Sequence, residues 1–270
     1  MTGHLHLELA ATPDGRTQIA KQSFQAPLHI SKPHWDGHSL IVQAVNCTAG
    51  TFGGDELHVS ILAKTHTSAV ITSPSAQRIH PPRDKSSPAL VTQNFEIQPG
   101  AWLDIAPEIV IPHKDSRIIQ RTHLHTHLDS ELLYLESMAP GRVGYGESYQ
   151  FAALDWTTDW THNNRLLSRE RFHLNPDSES LKILRRFSPT TYQATAYLTS
   201  PHLTPASPLP RQLAQLETKN CRIAASFIDQ NAALIRILAT DSISLRKTIL
   251  DLRNTIYSNL KRHSPEWRKL

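Results

Sequence analysis

Residues 50–80 read GTFGGDELHVSILAKTHTSAVITSPSAQRIH, and this stretch decides the fold. Gly50, Gly53 and Gly54 permit positive φ or close backbone approach, so they set a tight turn at its start. Asp55 can hydrogen-bond back into that turn. Beyond it Leu57, Val59, Ile61 and Ala63 alternate with Glu56, His58, Ser60 and Leu62, the period of a strand with one buried face. Residues 65–68 form a loop, and the β-branched run 69–73 returns as a second strand. The glycine turn has the look of a phosphate cradle. No helical pattern follows it, however, and both the P-loop and the dinucleotide fingerprint need a helix N-terminus there. The chain is therefore expected to bind no nucleotide.

Similar short strands flank this stretch on both sides. Upstream, residues 4–10 alternate with Leu5, Leu7 and Leu9 on one side, Pro13-Asp14-Gly15 is a turn, and 17–24 is a second strand. An apolar run at 27–33 precedes a loop at 34–38 and an apolar strand at 40–45. Downstream, 81–89 is an exposed loop, 93–97 a strand, Pro99-Gly100 a turn, and 101–105 and 108–111 are short strands interrupted by Pro107. Residues 117–129 alternate, with the even positions from Ile118 to Leu128 as the core face. Strands are expected at 131–136, 149–154 and 165–174, with a pair at 182–187 and 193–198. Loops cover 137–146 and the Pro/Ser-rich segment 199–210, a surface connection within one domain. A short helix at 211–218 precedes a hairpin, 221–228 and 232–239, around Asp229-Gln230-Asn231. The last element is a helix over about 242–262. Asp241 or Ser242 can cap it, and Leu245, Ile249, Leu252, Ile256 and Leu260 form its core-facing stripe. No internal repeat of fixed period is visible. The expectation is a mainly β chain, one domain over 1–270, with a small helical C-terminal part.

With 270 residues the chain can bury roughly 75% of its unfolded surface. Mean hydropathy is −0.37, and no apolar run approaches the roughly 18 residues of a membrane span. The first residues lack the basic head and apolar core of a signal peptide. Cys47 and Cys221 are too few and too far apart for a disulfide framework or a Cys-rich zinc site. A reducing, cytoplasmic setting follows as the expectation. The net charge of +4 is dispersed, whereas a nucleic-acid footprint gathers its charge on one face. An acidic protein partner fits better than nucleic acid or membrane. The 16 histidines are compatible with metal binding, with pH sensing, or with a basic surface.

One local signal for chemistry stands out: His123, His125 and His127, spaced two apart. On a strand such residues point the same way, roughly 6.6 Å apart, and two imidazoles can share a metal. With Glu131 the spacing becomes H-x-H-x-x-x-E, the first metal motif of cupins in part. Ile119 stands where that motif wants glycine, and no second motif follows. The alternative is the solvent face of an amphipathic strand, which Arg117 and Arg121 favour by opposing a cation. No G-x-S-x-G elbow occurs. Asp55 with Glu56 reads as a turn cap beside a solvated charge. Glu136 and Glu147 flank PGRVGYGE, whose Gly141-Arg142 step is either an anion contact or a turn with an exposed arginine.

Taken in order, these residues resemble the urease accessory protein D family, called H in some systems. The family's early strand-turn is matched by Gly50, Gly53-Gly54-Asp55 and Leu57, then Thr72, Ala76 and Arg78. Its L-x(3)-P-x(3)-I step is matched by Leu103, Pro107 and Ile111. Its GR-x(4)-E segment is matched by Gly141-Arg142 and Glu147 after Glu136. The C-terminal hairpin and helix resemble the family's ending. Cys47, Thr48 and Ala49 depart from its usual Pro and Gly residues, and His80 replaces a common aromatic. The resemblance implies a β-helicoidal stack of strands and a non-enzymatic scaffold for metallocentre assembly, a chaperone that assists nickel insertion into apo-urease. It implies binding to accessory protein F, through F to the GTPase G, and to the urease apoprotein, in a dimer of heterocomplexes. Nickel would be cargo in transit, held weakly by residues such as Asp55, His58, Glu136 and Glu147. Two readings compete with it. One is a cupin-like metalloenzyme using His125, His127 and Glu131. The other is a plain β interaction module without metal.

Overall fold

The leucine alternation at the N-terminus and the alternation after the glycine turn build one and the same sheet. The structure, a computed structural model, describes residues 1–82, 87–175, 178–179, 182 and 191–266. Strand β1 (Thr2–Ala11) pairs antiparallel with β2 (Thr17–Gln25) at the sheet edge. β3 (Leu28–Ile30), β4 (His34–Asp36) and β5 (Ser39–Asn46) then start a second sheet. From there the chain coils. β6 (Thr51–Phe52), β7 (Glu56–Ala63), β8 (Ser68–Thr72) and β9 (Gln77–His80) make one circuit. β10 (Ala89–Ile97), β11 (Trp102–Ala106) and β12 (Val110–Pro112) make the next, followed by β13 (Arg117–Thr126), β14 (Glu131–Met138) and β15 (Gly141–Arg142).

Each circuit returns in parallel register onto the one before. β1, β7 and β10 stack in the first sheet, continued by β13 and by β17 (Ala153–His162). β5, β8, β11 and β14 stack in the second. β6, β9 and β12 form a shorter third side joined to the second sheet. β18 (Arg165–Leu174) closes the first sheet as an antiparallel edge. After the short β16 (Glu147–Ser148), the second sheet is extended by β19 (Tyr192–Thr199), β21 (Ala232–Ala239) and β20 (Cys221–Asp229). The register partners Leu57, Val91, Gln120 and Trp156 lie at uneven sequence steps. The coils therefore leave no fixed period in the sequence.

The space between the sheets is filled by Leu5, Leu7, Leu9, Ile61, Phe95 and Leu124 from one side and Val42, Ile71, Leu103 and Leu132 from the other. The far face of the second sheet is covered too. There Trp102, Leu133, Leu135, Leu198 and Ile235 pack against Leu245, Leu252, Ile256 and Tyr257 of the C-terminal helix, Ser242–Asn259. Every residue of β11 and β14 is consequently buried, whereas β13 alternates, with its even positions inside. This contrast is that of a strand covered on both faces with one half-solvated. Two glycines of the turns are fixed by crowding. A Cβ on Gly50 (φ +152°) would lie 2.4 Å from the Arg78 carbonyl, and one on Gly141 (φ +142°) 2.0 Å from that of Glu147.

Several boundaries differ from the sequence reading. β4 occupies part of the expected loop 34–38, held by antiparallel pairing to β5. β15, a single 3-10 turn and the start of β16 occupy the expected loop 137–146 and its edge. β13 stops at Thr126, and Asp129 takes φ +59°, leaving Leu128 63% exposed where a core position was expected. The strand expected at 149–154 overlaps β17 only at Ala153 and Leu154: residues 149–152 lie outside the strand, with Tyr149 at φ +52°, and β17 runs on to His162 because Trp156, Thr158 and Trp160 continue its buried face. β10 begins at Ala89, four residues early, and the short helix is Leu209–Ala214. Residues 83–86 of the expected loop 81–89, and all but Lys182 of the expected strand 182–187, lie outside the described residues.

Charge locks the C-terminal helix to the second sheet. The Asp241 carboxylate accepts from the Ser244 N–H at 2.7 Å and caps the helix. The buried Arg253 guanidinium pairs with Asp104, which also accepts from the Tyr257 hydroxyl at 2.6 Å. Just beyond the helix, Arg262 pairs with Glu131 and lies 4.7 Å over the Trp102 ring. Removing one partner of a buried pair leaves a charge without compensation. Arg253→Met is thus expected to cost about 3–5 kcal/mol in urea unfolding, and Asp104→Leu/Arg253→Met to recover most of it. A single variant within about 1 kcal/mol of the parent would show that the pair does not hold the helix.

Candidate functional site

The period of two along β14 sends Leu133 and Leu135 toward the helix and Leu132, Tyr134 and Glu136 into the space between the sheets. Glu136 is thereby a carboxylate in the core, 5% exposed. Its hydrogen-bond partners among the described residues are all neutral donors. The Tyr197 hydroxyl donates to Oε1 at 2.8 Å. Thr158 Oγ1 and Trp156 Nε1 donate to Oε2 at 2.9 and 3.0 Å. The Tyr134 hydroxyl lies 3.3 Å from Oε2 and 3.2 Å from Gln93 Oε1, so its one proton serves either. Thr122 Oγ1 donates to the same Gln93 oxygen at 3.2 Å. A polar thread thus runs from β10 through β13 and β14 to β17 and β19. A small cavity adjoins it, lined by Glu136, Ser137, Met138, Trp156, Phe172, Gln193, Ala194 and Thr195.

Burial penalises the charged carboxylate more than these donors favour it, and the Glu136 pKa is pushed up to about 7. The same burial, with the neighbouring carboxylate, pushes the Tyr134 and Tyr197 phenols up. At neutral pH such a group is poised to release or hold its proton.

The other expected residues lie apart from it. Asp55 sits in the glycine turn, where Oδ2 accepts from the Phe52 N–H at 2.8 Å and Oδ1 meets the Met1 amino group at 2.9 Å. His58 is exposed on the outer face of the first sheet, in register with His4. Glu147 lies on β16, which forms a separate two-stranded sheet with β15; there Arg142 Nε donates to it at 2.7 Å and the Lys114 N–H at 3.2 Å, holding its carboxyl below the usual range. The spacing of Gly141-Arg142 and Glu147 therefore encodes an ion pair. His123 and His125 project from the outer face of the first sheet, and His127 follows just past its end.

Glu131 does not join these histidines, which corrects the cupin-like grouping. After Thr126 the chain turns, with the Ser130 hydroxyl accepting from the His127 N–H at 3.0 Å, and enters the second sheet. Glu131 there accepts from Ser200 and pairs with Arg262. Among the described residues no three His, Cys, Asp or Glu side chains converge to hold a metal. Sequence reasoning missed Tyr134, Trp156, Thr158 and Tyr197. The available signal was Glu136 within the apolar run ELLYLESM, at the same parity as Tyr134.

The raised pKa has a signed consequence. Between about 4.5 and about 7 the native state holds a proton that the unfolded chain has lost, so stability falls as pH rises across that window. The whole effect is roughly 3 kcal/mol. Glu136→Gln is expected to flatten this slope in urea titrations at pH 5, 6 and 7. An unchanged slope would place the titration elsewhere.

Comparison with known proteins is consistent along the full length. The family model described as UreD urease accessory protein matches residues 1–269. The urease accessory protein UreD of Opitutus terrae is 30% identical over 99% of this chain and 98% of its own length. That of Acetivibrio thermocellus is 26% identical over 92% of this chain and 95% of its own. That of Trichodesmium erythraeum is 25% identical over 97% of each. With its mainly β architecture and a match across nearly every residue, the chain belongs to the UreD family of urease accessory proteins.

Proposed function

We propose that this chain is a urease maturation factor, a scaffold without catalysis of its own, through which nickel passes on its way into the urease apoprotein. Membership of a urease accessory family supports the maturation role. The observation that carries the conduit reading is Glu136, an interior carboxylate ringed by neutral donors with a small cavity beside it. A carrier must release what it binds. Closed tetrahedral sites retain their metal, whereas a single carboxylate competing with a proton binds weakly and lets go. Nickel here is cargo, and Glu136 is its interior contact. Asp55, His58 and Glu147, on separate parts of the molecule, are contacts outside that interior. Accessory protein F is the direct partner and GTPase G is recruited through it, so nucleotide chemistry belongs to the partner. Two such heterocomplexes pair and dock on urease in the cytoplasm. No helix among the described residues is long and apolar enough to cross a membrane.

Glu136→Gln keeps shape and one acceptor oxygen but cannot ionise. Co-expressed with urease and the other accessory proteins, this variant is expected to fold and to be recovered with its partners. Urease nickel content should fall at least severalfold. Fully nickel-loaded urease would remove Glu136 from the path, and urease fully loaded without any copy of this chain would overturn the maturation role itself. The same assay applied singly to Asp55, His58 and Glu147 removes each residue whose substitution leaves loading intact.

A further inference from the structure

The first sheet ends at β2, and the backbone of that strand is only half used. β1 turns its odd-numbered residues toward β7: the Met1 and Leu9 carbonyls accept from the Glu56 and Lys64 N–H groups at 2.8 and 3.1 Å. Across the antiparallel pair, Leu9, Leu7 and Leu5 face Ile19, Gln22 and Phe24. Alternation of bonded and non-bonded pairs therefore turns the N–H and C=O groups of these three away from β1. Among the described residues no backbone group of another element bonds to them. Thr17, opposite Ala11, shares their direction, and its carbonyl accepts from Trp35 Nε1 of β4 at 2.8 Å. Beside this edge a groove of about 430 Å³ opens between the two sheets, lined by Ile19, Ala20, Gln22, Pro33, Trp35 and Leu40. Trp35 is 51% exposed there.

The rim of the groove is cationic. Lys21 and Lys64 share one carboxylate, that of Glu8, at 3.4 and 2.9 Å. Lys32, exposed beside Pro33, makes no ion pair among the described residues. On β4, Asp36 is already taken, by His263 at 3.0 Å and the Glu266 N–H at 2.7 Å. Lys21 and the adjoining bulge, where Ala20 has no partner on β1, guard this edge against unselective pairing. We propose that β2 is the docking edge for an extended segment of another protein, in which apolar residues alternate with acidic ones. Such a segment lies about 4.8 Å from β2 and takes up the outward N–H and C=O groups of Ile19, Gln22 and Phe24. Its apolar side chains enter the groove against Ile19, Pro33 and Trp35. The acidic ones between them meet Lys21, and Lys32 adds to the same attraction. A coil of stacked strands needs its open end covered, and this segment covers it. The docking is independent of the nickel path, since neither Glu136 nor its partners take part.

The test uses the full chain and two capped peptides of nine residues, the length of β2. In one, valine alternates with glutamate; in the other, lysine replaces the glutamate. Fluorescence anisotropy of the labelled peptides gives the affinity, and hydrogen–deuterium exchange gives the location. The glutamate peptide is expected to bind about tenfold or more tightly than the lysine peptide and to protect residues 17–25. Lys21→Glu/Lys32→Glu is expected to reverse that preference. Gln22→Pro removes one outward donor at an edge position where proline is tolerated. It is expected to weaken binding about tenfold while far-UV circular dichroism and the urea midpoint stay as in the parent. Glu136→Gln is expected to bind the peptide as the parent does. Absence of binding at about 1 mM glutamate peptide, equal binding of the two peptides, or protection confined to other strands would each overturn the proposal. So would a dimer of the chain alone with its β2 amides already protected, because a second copy would then hold the edge. Failure of the maturation role would show in urease loading and would leave these titrations as they stand.

Discussion

Strands β11 and β14 are covered by apolar layers on both faces, and that double burial governs the rest of the molecule. A half-solvated strand can put its polar residues in water. A strand covered on both sides must find a partner for each one, because an unpaired buried carboxylate costs several kcal/mol. The second sheet carries three such carboxylates: Asp104, Glu131 and Glu136. Two of them are met by arginines from the C-terminal helix and the segment after it. In this sense the helix neutralises the sheet as well as sealing it.

Glu136 is the exception. Among the described residues no arginine or lysine pairs with it, and its hydrogen-bond partners are a threonine, a tryptophan and two tyrosines. Neutral hydrogen bonds contribute about 1 kcal/mol each, too little to offset the burial of a full charge. The group therefore sits at the point where a proton is held and lost near neutral pH, while Asp104 and Glu131 each pair with a guanidinium. Among the described residues Glu136 is thus the buried carboxylate of the second sheet that has no guanidinium partner.

What the sequence made legible follows the same division. Strands with one wet face, such as β1, β7 and β13, stood out through alternation. The terminal helix stood out through its stripe and cap. β14 shows an apolar run, residues 132–135, closed by Glu136, which looks like a strand end, and only pairing with β19 and proximity to β17 reveal its enclosure. β17 was placed four residues early and ended eight too soon, because Asp155, Thr157, Thr158 and Asp159 are polar, although Thr158 is fully buried. Glu131 was grouped with the histidines because it lies close in sequence. The turn at 127–130 places it in a different sheet, a three-dimensional fact with no local signature. The GR-x(4)-E spacing was visible as a pattern, and its meaning as an Arg142–Glu147 pair needed the geometry.

The account stands or falls on the state of one side chain. Carbon-13 NMR of the Glu136 carboxyl, followed from pH 4 to pH 9 with and without nickel chloride, measures that state directly. The account predicts a midpoint near 7 without metal and a lower midpoint with it, as the cation displaces the proton. A midpoint near the ordinary 4.5, or one that nickel leaves unmoved, would contradict it.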